Sequence, residues 1–145
     1  MSEETIESAK AVLASSYKFV LLAQNYHWNV EGPHFGQLHE LFGNIYEEVQ
    51  GNIDRMAEEI RALDSYTPAS FARFSELSRV PDEIGMPDAK TMLERLLIAN
   101  EMVLADIMRC YHAAEQSMNH NLSNFMAERQ DAHKKHGWML KATLR

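Results

Sequence analysis

Between Gly36 and Leu63 apolar residues recur at Leu38, Leu41, Phe42, Ile45, Val49, Ile53, Met56, Ile60 and Leu63, with no proline among them. At about 100° per residue these positions fall on one stripe, so the spacing predicts one unbroken helix with a core-facing side. An earlier helix is predicted to start at a Thr5 or Ser8 cap. It runs through Leu13, Tyr17, Val20, Leu21 and Gln24 to about Val30, where Gly32-Pro33 stops it. Asp88 is placed to cap a third helix over 88–117, whose stripe is Met92, Leu93, Leu96, Leu97, Val103, Leu104, Ile107 and Met108. A fourth, over 121–143, carries Leu122, Phe125, Met126, Trp138, Met139 and Leu140.

The segment from Ser65 to Pro87 differs in kind. It holds Pro68, Pro81 and Pro87 and short apolar clusters at Phe71, Phe74 and Leu77, and reads as a crossover with one short helix near 69–78. A connection of that length travels along the bundle instead of turning back at once. Four long helices with a long crossover between the second and third give an all-α, ferritin-like four-helix bundle, expected as a single domain over residues 1–145.

Composition narrows the function classes. The net charge is −7, and residues 1–64 alone hold eleven acids against four Lys and Arg. An acidic body attracts cations and repels a phosphate backbone. The single cysteine, Cys110, excludes an intrachain disulfide and reads as a buried helix residue. No apolar run approaches the length of a membrane span, and MSEETIESAK lacks the layout of a signal peptide, so a cytoplasmic protein is expected. The nine methionines read as core gap-fillers.

Candidate chemistry gathers between His27 and Glu58. His39, Glu47, Asp54 and Glu58 project to a second sector of the central helix, away from its apolar stripe. His39 and Asp54 are separated by about 22 Å of helix rise at 1.5 Å per residue, too far to share one ion within a chain. If they do share one, the Asp comes from a second copy running antiparallel across a two-fold axis near Glu47–Glu48, which generates two equivalent sites. Imidazole and carboxylate donors together suit redox-active iron. Glu-x-x-His pairs, which build a di-iron centre inside a single bundle, are missing from the helical stretches, so iron within the monomer is disfavoured.

The stretches YKFVLLAQNYHWNVEGPHFGQLHELF, IYEEV, DRMAEEIRAL and ERQDAHKKHGWMLKATL closely resemble the Dps family of ferritin-like mini-shells over nearly the whole chain. The resemblance implies a hollow shell of twelve subunits, built from two-fold dimers, that oxidises Fe(II), preferably with peroxide, and stores the ferric product. It places the ferroxidase ligands on His27 and His39 of one subunit and on Asp54 and Glu58 of its dimer mate. Trp28 would stand beside them and quench oxidising intermediates.

The chain departs from the family pattern in three places. Four residues after His39 the family usually has Asp or Glu, and here there is Gly43. That removes an anionic ligand, costs about 0.5–1 kcal/mol of helix stability relative to Ala, and leaves a second metal position open. Glu47, one turn on, is the candidate to compensate, and a close helix crossing at Gly43 and Gly51 is the structural alternative. A passive metal-binding or structural shell is therefore the alternative function. Glu115, His120 and Asn124 stand where relatives line a three-fold pore with aspartates, and read equally as cap and turn residues. The acidic start replaces the Lys-rich tail of DNA-condensing relatives, and Lys134, Lys135, Lys141 and Arg145 form only a thin basic patch, so little or no DNA binding is expected. His112, His133 and His136 are expected at the surface or an interface.

Overall fold

The computed structural model describes residues 2–145, and the regular structure among them is all helical, with no strand. Six helices follow in order: α1 (Glu3–Asn29), α2 (Phe35–Gln50), α3 (Ile53–Ala62), α4 (Phe71–Leu77), α5 (Ala89–Gln116) and α6 (His120–Leu144). α1, α2 with α3, α5 and α6 form the four-helix bundle, and α4 lies in the crossover, packed on α1. No helix is long and apolar enough to cross a membrane among the described residues.

α1 is the central element, touching α2, α3, α4 and α5. Its Phe19, Ala23 and Tyr26 are fully buried with Phe42, Ile45, Leu96, Ile107, Phe125 and Met126. Each large side chain so buried contributes about 1.5–3 kcal/mol. Cys110 is fully buried, and burial pushes its thiol up to about 11, an inert packing residue as its place in the pattern implied.

Local chemistry sets the helix starts. The Ser70 hydroxyl accepts from Arg73 N–H and the Asp88 carboxylate from Thr91 N–H, each satisfying an orphan donor. α1 is capped by Ser2, not by Thr5 or Ser8, and begins at Glu3. Thr5 and Ser8 are buried instead, Thr5 Oγ1 donating 3.2 Å to the Ala113 carbonyl of α5.

The central helix is not continuous. At Gly51–Asn52 the backbone tightens, Asn52 N–H bonding Val49 O at 3.0 Å, while Asn52 Nδ2 donates 2.9 Å to the carbonyl of Glu48. A flexible glycine followed by an asparagine whose side chain competes for a helical carbonyl interrupts a pattern that apolar spacing alone carries through.

Several residues assigned to the core stripes face outward in the single chain: Tyr17, Leu21 and Trp138 are 41%, 46% and 65% exposed. The opposite correction applies to His133 and His136, which are buried. His133 Nδ1 donates to Asn100 Oδ1 at 2.7 Å, Asn100 Nδ2 donates to the His133 carbonyl at 2.8 Å, and His133 Nε2 is buried without a partner. Nearby, Arg129 of α6 binds both oxygens of Glu48 of α2 at 2.6 and 2.9 Å, and His136 Nε2 meets Glu48 Oε1 at 2.8 Å. This polar cluster ties α2 to α6 across the bundle.

Burial raises the Glu48 carboxyl, but the hydrogen bonds from Arg129 and His136 outweigh it and hold it well below its ordinary value of 4.5. Burial holds His133 well below its ordinary 6.5, so the folded chain keeps it neutral. Both depressed values act in the same direction. As pH falls below 6.5 the unfolded chain takes up a proton at His133 that the folded chain refuses. Below 4.5 the same holds at Glu48. Stability is therefore full at neutral pH and is lost on acidification, by up to about 1.4 kcal/mol per pH unit per group. Denaturant melts from pH 7 to 5 should show this slope in the wild type, and His133→Gln should flatten it. Arg129→Met, which leaves Glu48 half-buried without its bidentate partner, should cost about 3 kcal/mol in the same melts at pH 7.

Candidate metal centre

The junction between α1 and α2 brings two of the candidate ligands together. Gly32 takes φ +120°, a conformation open to glycine, and turns the chain so that the last turn of α1 faces the first turns of α2. There the rings of His27 and His39 stack, centroids 3.8 Å apart and planes at 14°. Each ring also bonds the other residue's backbone: His27 Nδ1 to the His39 carbonyl and His39 Nδ1 to the His27 carbonyl, both at 2.6 Å.

A carbonyl oxygen only accepts, so each Nδ1 carries the proton and donates. In the neutral ring the lone pair then lies on Nε2, and among the described residues no hydrogen bond reaches either Nε2. This is the arrangement in which a histidine is oriented for metal by a bond from its other nitrogen to a backbone carbonyl. The His27 carbonyl lies in the last turn of α1, where helical partners run out, so His39 also caps that helix end.

Aromatic neighbours flank the pair. Phe35 stacks on His39 with centroids 5.2 Å apart, and Tyr46 lies tilted against His27 at 5.4 Å. Phe35, His39 and Gly43 are spaced four apart on one face of α2, a pattern that could have drawn Phe35 into the sequence reading. Gly43 is buried beneath His27, so its open side is filled by the chain's own ring and is closed to another helix.

The carboxylates are elsewhere. Asp54 and Glu58 stand exposed on α3, and Glu47 is exposed on α2. Among the described residues no three His, Cys, Asp or Glu side chains converge on a metal position within the chain. Asp54 lines a groove of about 380 Å³ whose walls include Tyr17, Leu21, Gln24, Gln50 and Phe71. Trp28 is 62% exposed and borders a separate groove with Lys18, Asn25 and Pro81. Glu115 accepts from Ser123 Oγ at 2.7 Å and pairs with His120 Nδ1 at 3.1 Å; these bonds, Ser123 first, hold its carboxyl below the usual range. His112, Asn124, Lys134, Lys135, Lys141 and Arg145 are exposed.

The polar cluster of Glu48, Asn100, Arg129, His133 and His136 was missed as a group. Its signal lies in the spacing: Arg129, His133 and His136 continue the three-and-four rhythm of Leu122, Phe125 and Met126 toward Leu140, the buried face of α6. In the bundle interior the cation beside Glu48 is the Arg129 guanidinium.

The ferritin-like domain model matches residues 6–145. Among similar proteins, DNA protection during starvation protein 2 of Bacillus anthracis is 29% identical over 144 residues, covering 99% of each chain. The X-ray structure of Dps from Thermosynechococcus elongatus superposes with a TM-score of 0.95 at 26% identity, over 99% of this chain and 91% of that one. A Dps from Vibrio cholerae, described as belonging to a broad superfamily of ferritin-like diiron-carboxylate proteins, shares the fold with a TM-score of 0.93 at 24% identity, over 99% and 90% of the two chains.

The tautomer assignment is open to direct measurement. In protein carrying ¹⁵N-labelled histidine, long-range proton–nitrogen spectra at pH 7.5 should show His27 and His39 both protonated at Nδ1. A signal from protonated, neutral-form Nε2 on either residue would contradict the reciprocal hydrogen bonds.

Proposed function

The chain belongs to the ferritin-like family, in its Dps branch, and on that premise we propose that it is a ferroxidase and iron store which consumes Fe(II) and peroxide together. The observation that supports this reading is the His27–His39 pair, locked by backbone carbonyls with both Nε2 lone pairs unengaged. Two neutral imidazoles cannot balance a divalent cation, and among the described residues the single chain gathers no third ligand. Asp54 and Glu58 of a second, antiparallel copy supply the carboxylates, so that a two-fold dimer holds two equivalent sites. Tyr17 and Leu21, exposed beside Asp54, are the apolar surface such a dimer would cover.

In this reading Fe(II) is the substrate and the side chains act by position and charge. His27 and His39 bind it through Nε2, and Asp54 and Glu58 neutralise it. Carboxylates stabilise Fe(III) more than Fe(II), which favours electron loss in the bound state. Two Fe(II), one H2O2 and two protons give two Fe(III) and two water molecules, so no hydroxyl radical is released. Trp28, next to His27 in the chain, is the residue assigned to intercept stray oxidant, and its exposure leaves the indole accessible. Glu47 is a further carboxylate one turn beyond Gly43. Twelve such subunits forming a hollow shell complete the proposal, with the ferric product stored inside.

Duplex DNA is not proposed as a partner. The exposed cations on α6 are few and the chain's net charge is −7. A mobility-shift titration with duplex DNA at physiological salt should show no tight complex.

The central test mixes Fe(II) anaerobically with the protein, adds peroxide and follows ferric absorbance. Fast oxidation is expected for the wild type, with a loss of at least about tenfold in Asp54→Ala, equivalent to about 1.4 kcal/mol of barrier. His27→Ala should be equally slow. Co-expressing the two variants should regenerate about a quarter of the sites, because half of the random dimers then hold one intact His27–Asp54 combination. A wild type no faster than the protein-free reaction would leave the passive-shell alternative standing.

A further inference from the structure

A Cβ built on Gly43 would lie 2.9 Å from both Cε1 and Nδ1 of His27 and 3.8 Å from its Nε2. Nonbonded carbon atoms settle near 3.5–4.0 Å, so any side chain at this position forces the ring or the helix to move. The ring has little freedom to yield. Nδ1 is tied at 2.6 Å to the His39 carbonyl, one face is stacked on His39, and Tyr46 stands 5.4 Å away.

The position of Gly43 in the helix makes the contact specific. A helical carbonyl points at the N–H four residues on, so the His39 oxygen is directed at Gly43. That oxygen has a second lone pair, and His27 Nδ1 uses it. A side chain at position 43 would stand in the path of that second bond. Gly43 is thus the floor on which the His27 ring lies and the opening through which it reaches its orienting carbonyl.

We propose that Gly43 is a positioning residue for His27, and that by giving the ring this space in place of a carboxylate it sets the capacity of the site at one divalent cation instead of two. This rests on the ferroxidase reading. Two imidazoles with Asp54 and Glu58 of a second copy satisfy one cation of the kind that accepts both donor types. A second cation needs an anionic donor on the histidine side, and the place where one would be rooted is occupied by the His27 ring. The second Fe(II) required for each peroxide then arrives from solution after the first is bound, and the balance of two Fe(II), one H2O2 and two protons is unchanged.

The test uses Co(II) as an oxidation-resistant probe of the assembled protein, titrated anaerobically and read from its visible absorption, with thermal melts alongside. The wild type should saturate at one Co(II) per subunit, and Asp54→Ala should lose the signal. Gly43→Ala should assemble normally yet bind Co(II) at least about tenfold more weakly, without the rise in Tm that Ala in place of Gly brings to an unconstrained helix position. Unchanged Co(II) affinity together with a raised Tm in Gly43→Ala would overturn the positioning role. Two Co(II) per wild-type subunit, both lost in Asp54→Ala, would overturn the single-cation capacity while leaving the ferroxidase site in place. Absence of any Asp54-dependent Co(II) signal in the wild type would remove the site itself, and this proposal with it.

Discussion

The reciprocal bonding of His27 and His39 is the constraint on which the rest of the site depends. One turn at Gly32 brings the C-terminal end of α1, where carbonyls lack helical partners, against the opening turns of the next helix. Two imidazole N–H groups then satisfy carbonyls on the opposite helix, so the bonds that join α1 to α2 also choose the tautomer of both rings. Fold and chemistry share the same atoms. A change that loosens the junction also misaims the lone pairs, and a change that removes the His39 ring also leaves the end of α1 uncapped.

The bundle interior explains why metal chemistry is sought at the surface of the subunit. The space between α2 and α6 contains a carboxylate and histidines, the raw materials of a buried metal centre, but a guanidinium neutralises the carboxylate and Asn100 fixes one histidine. A buried ion pair of this kind adds little net stability over apolar packing, yet breaking it strands a charge. The Glu48 carboxylate is thus neutralised within one chain, whereas neither Nε2 of the His27–His39 pair has a hydrogen-bond partner among the described residues.

Several features were legible in the sequence because they are local. Gly32-Pro33 and Asp88 act within a few residues of themselves, and the helix ends fall within a few residues of the expected positions. The apolar stripes located Phe42, Ile45, Leu96, Ile107 and Phe125 in the core, since a 3.6-residue repeat must bury one side. Errors arose where a second element intervened. Asn52 took the Glu48 carbonyl and tightened the central helix, while Tyr17, Leu21 and Trp138 carry an apolar pattern that the single chain does not bury. His133 and His136 are expected from sequence at the surface or an interface, because polarity says nothing about partners 33 and 88 positions away.

By itself, the sequence determined the helices, the long crossover and the fact that His39 and Asp54 are too far apart along one helix to share an ion. Each follows from periodicity and rise per residue, which need no knowledge of neighbours. Only the tertiary structure decided that His27 and His39 hold one another's tautomer, that Arg129 occupies the interior beside Glu48, and that the missing side chain at Gly43 is filled by an imidazole. These depend on atoms brought together from distant positions by packing. A glycine in a helix reads as an absence until the structure shows what stands in the space.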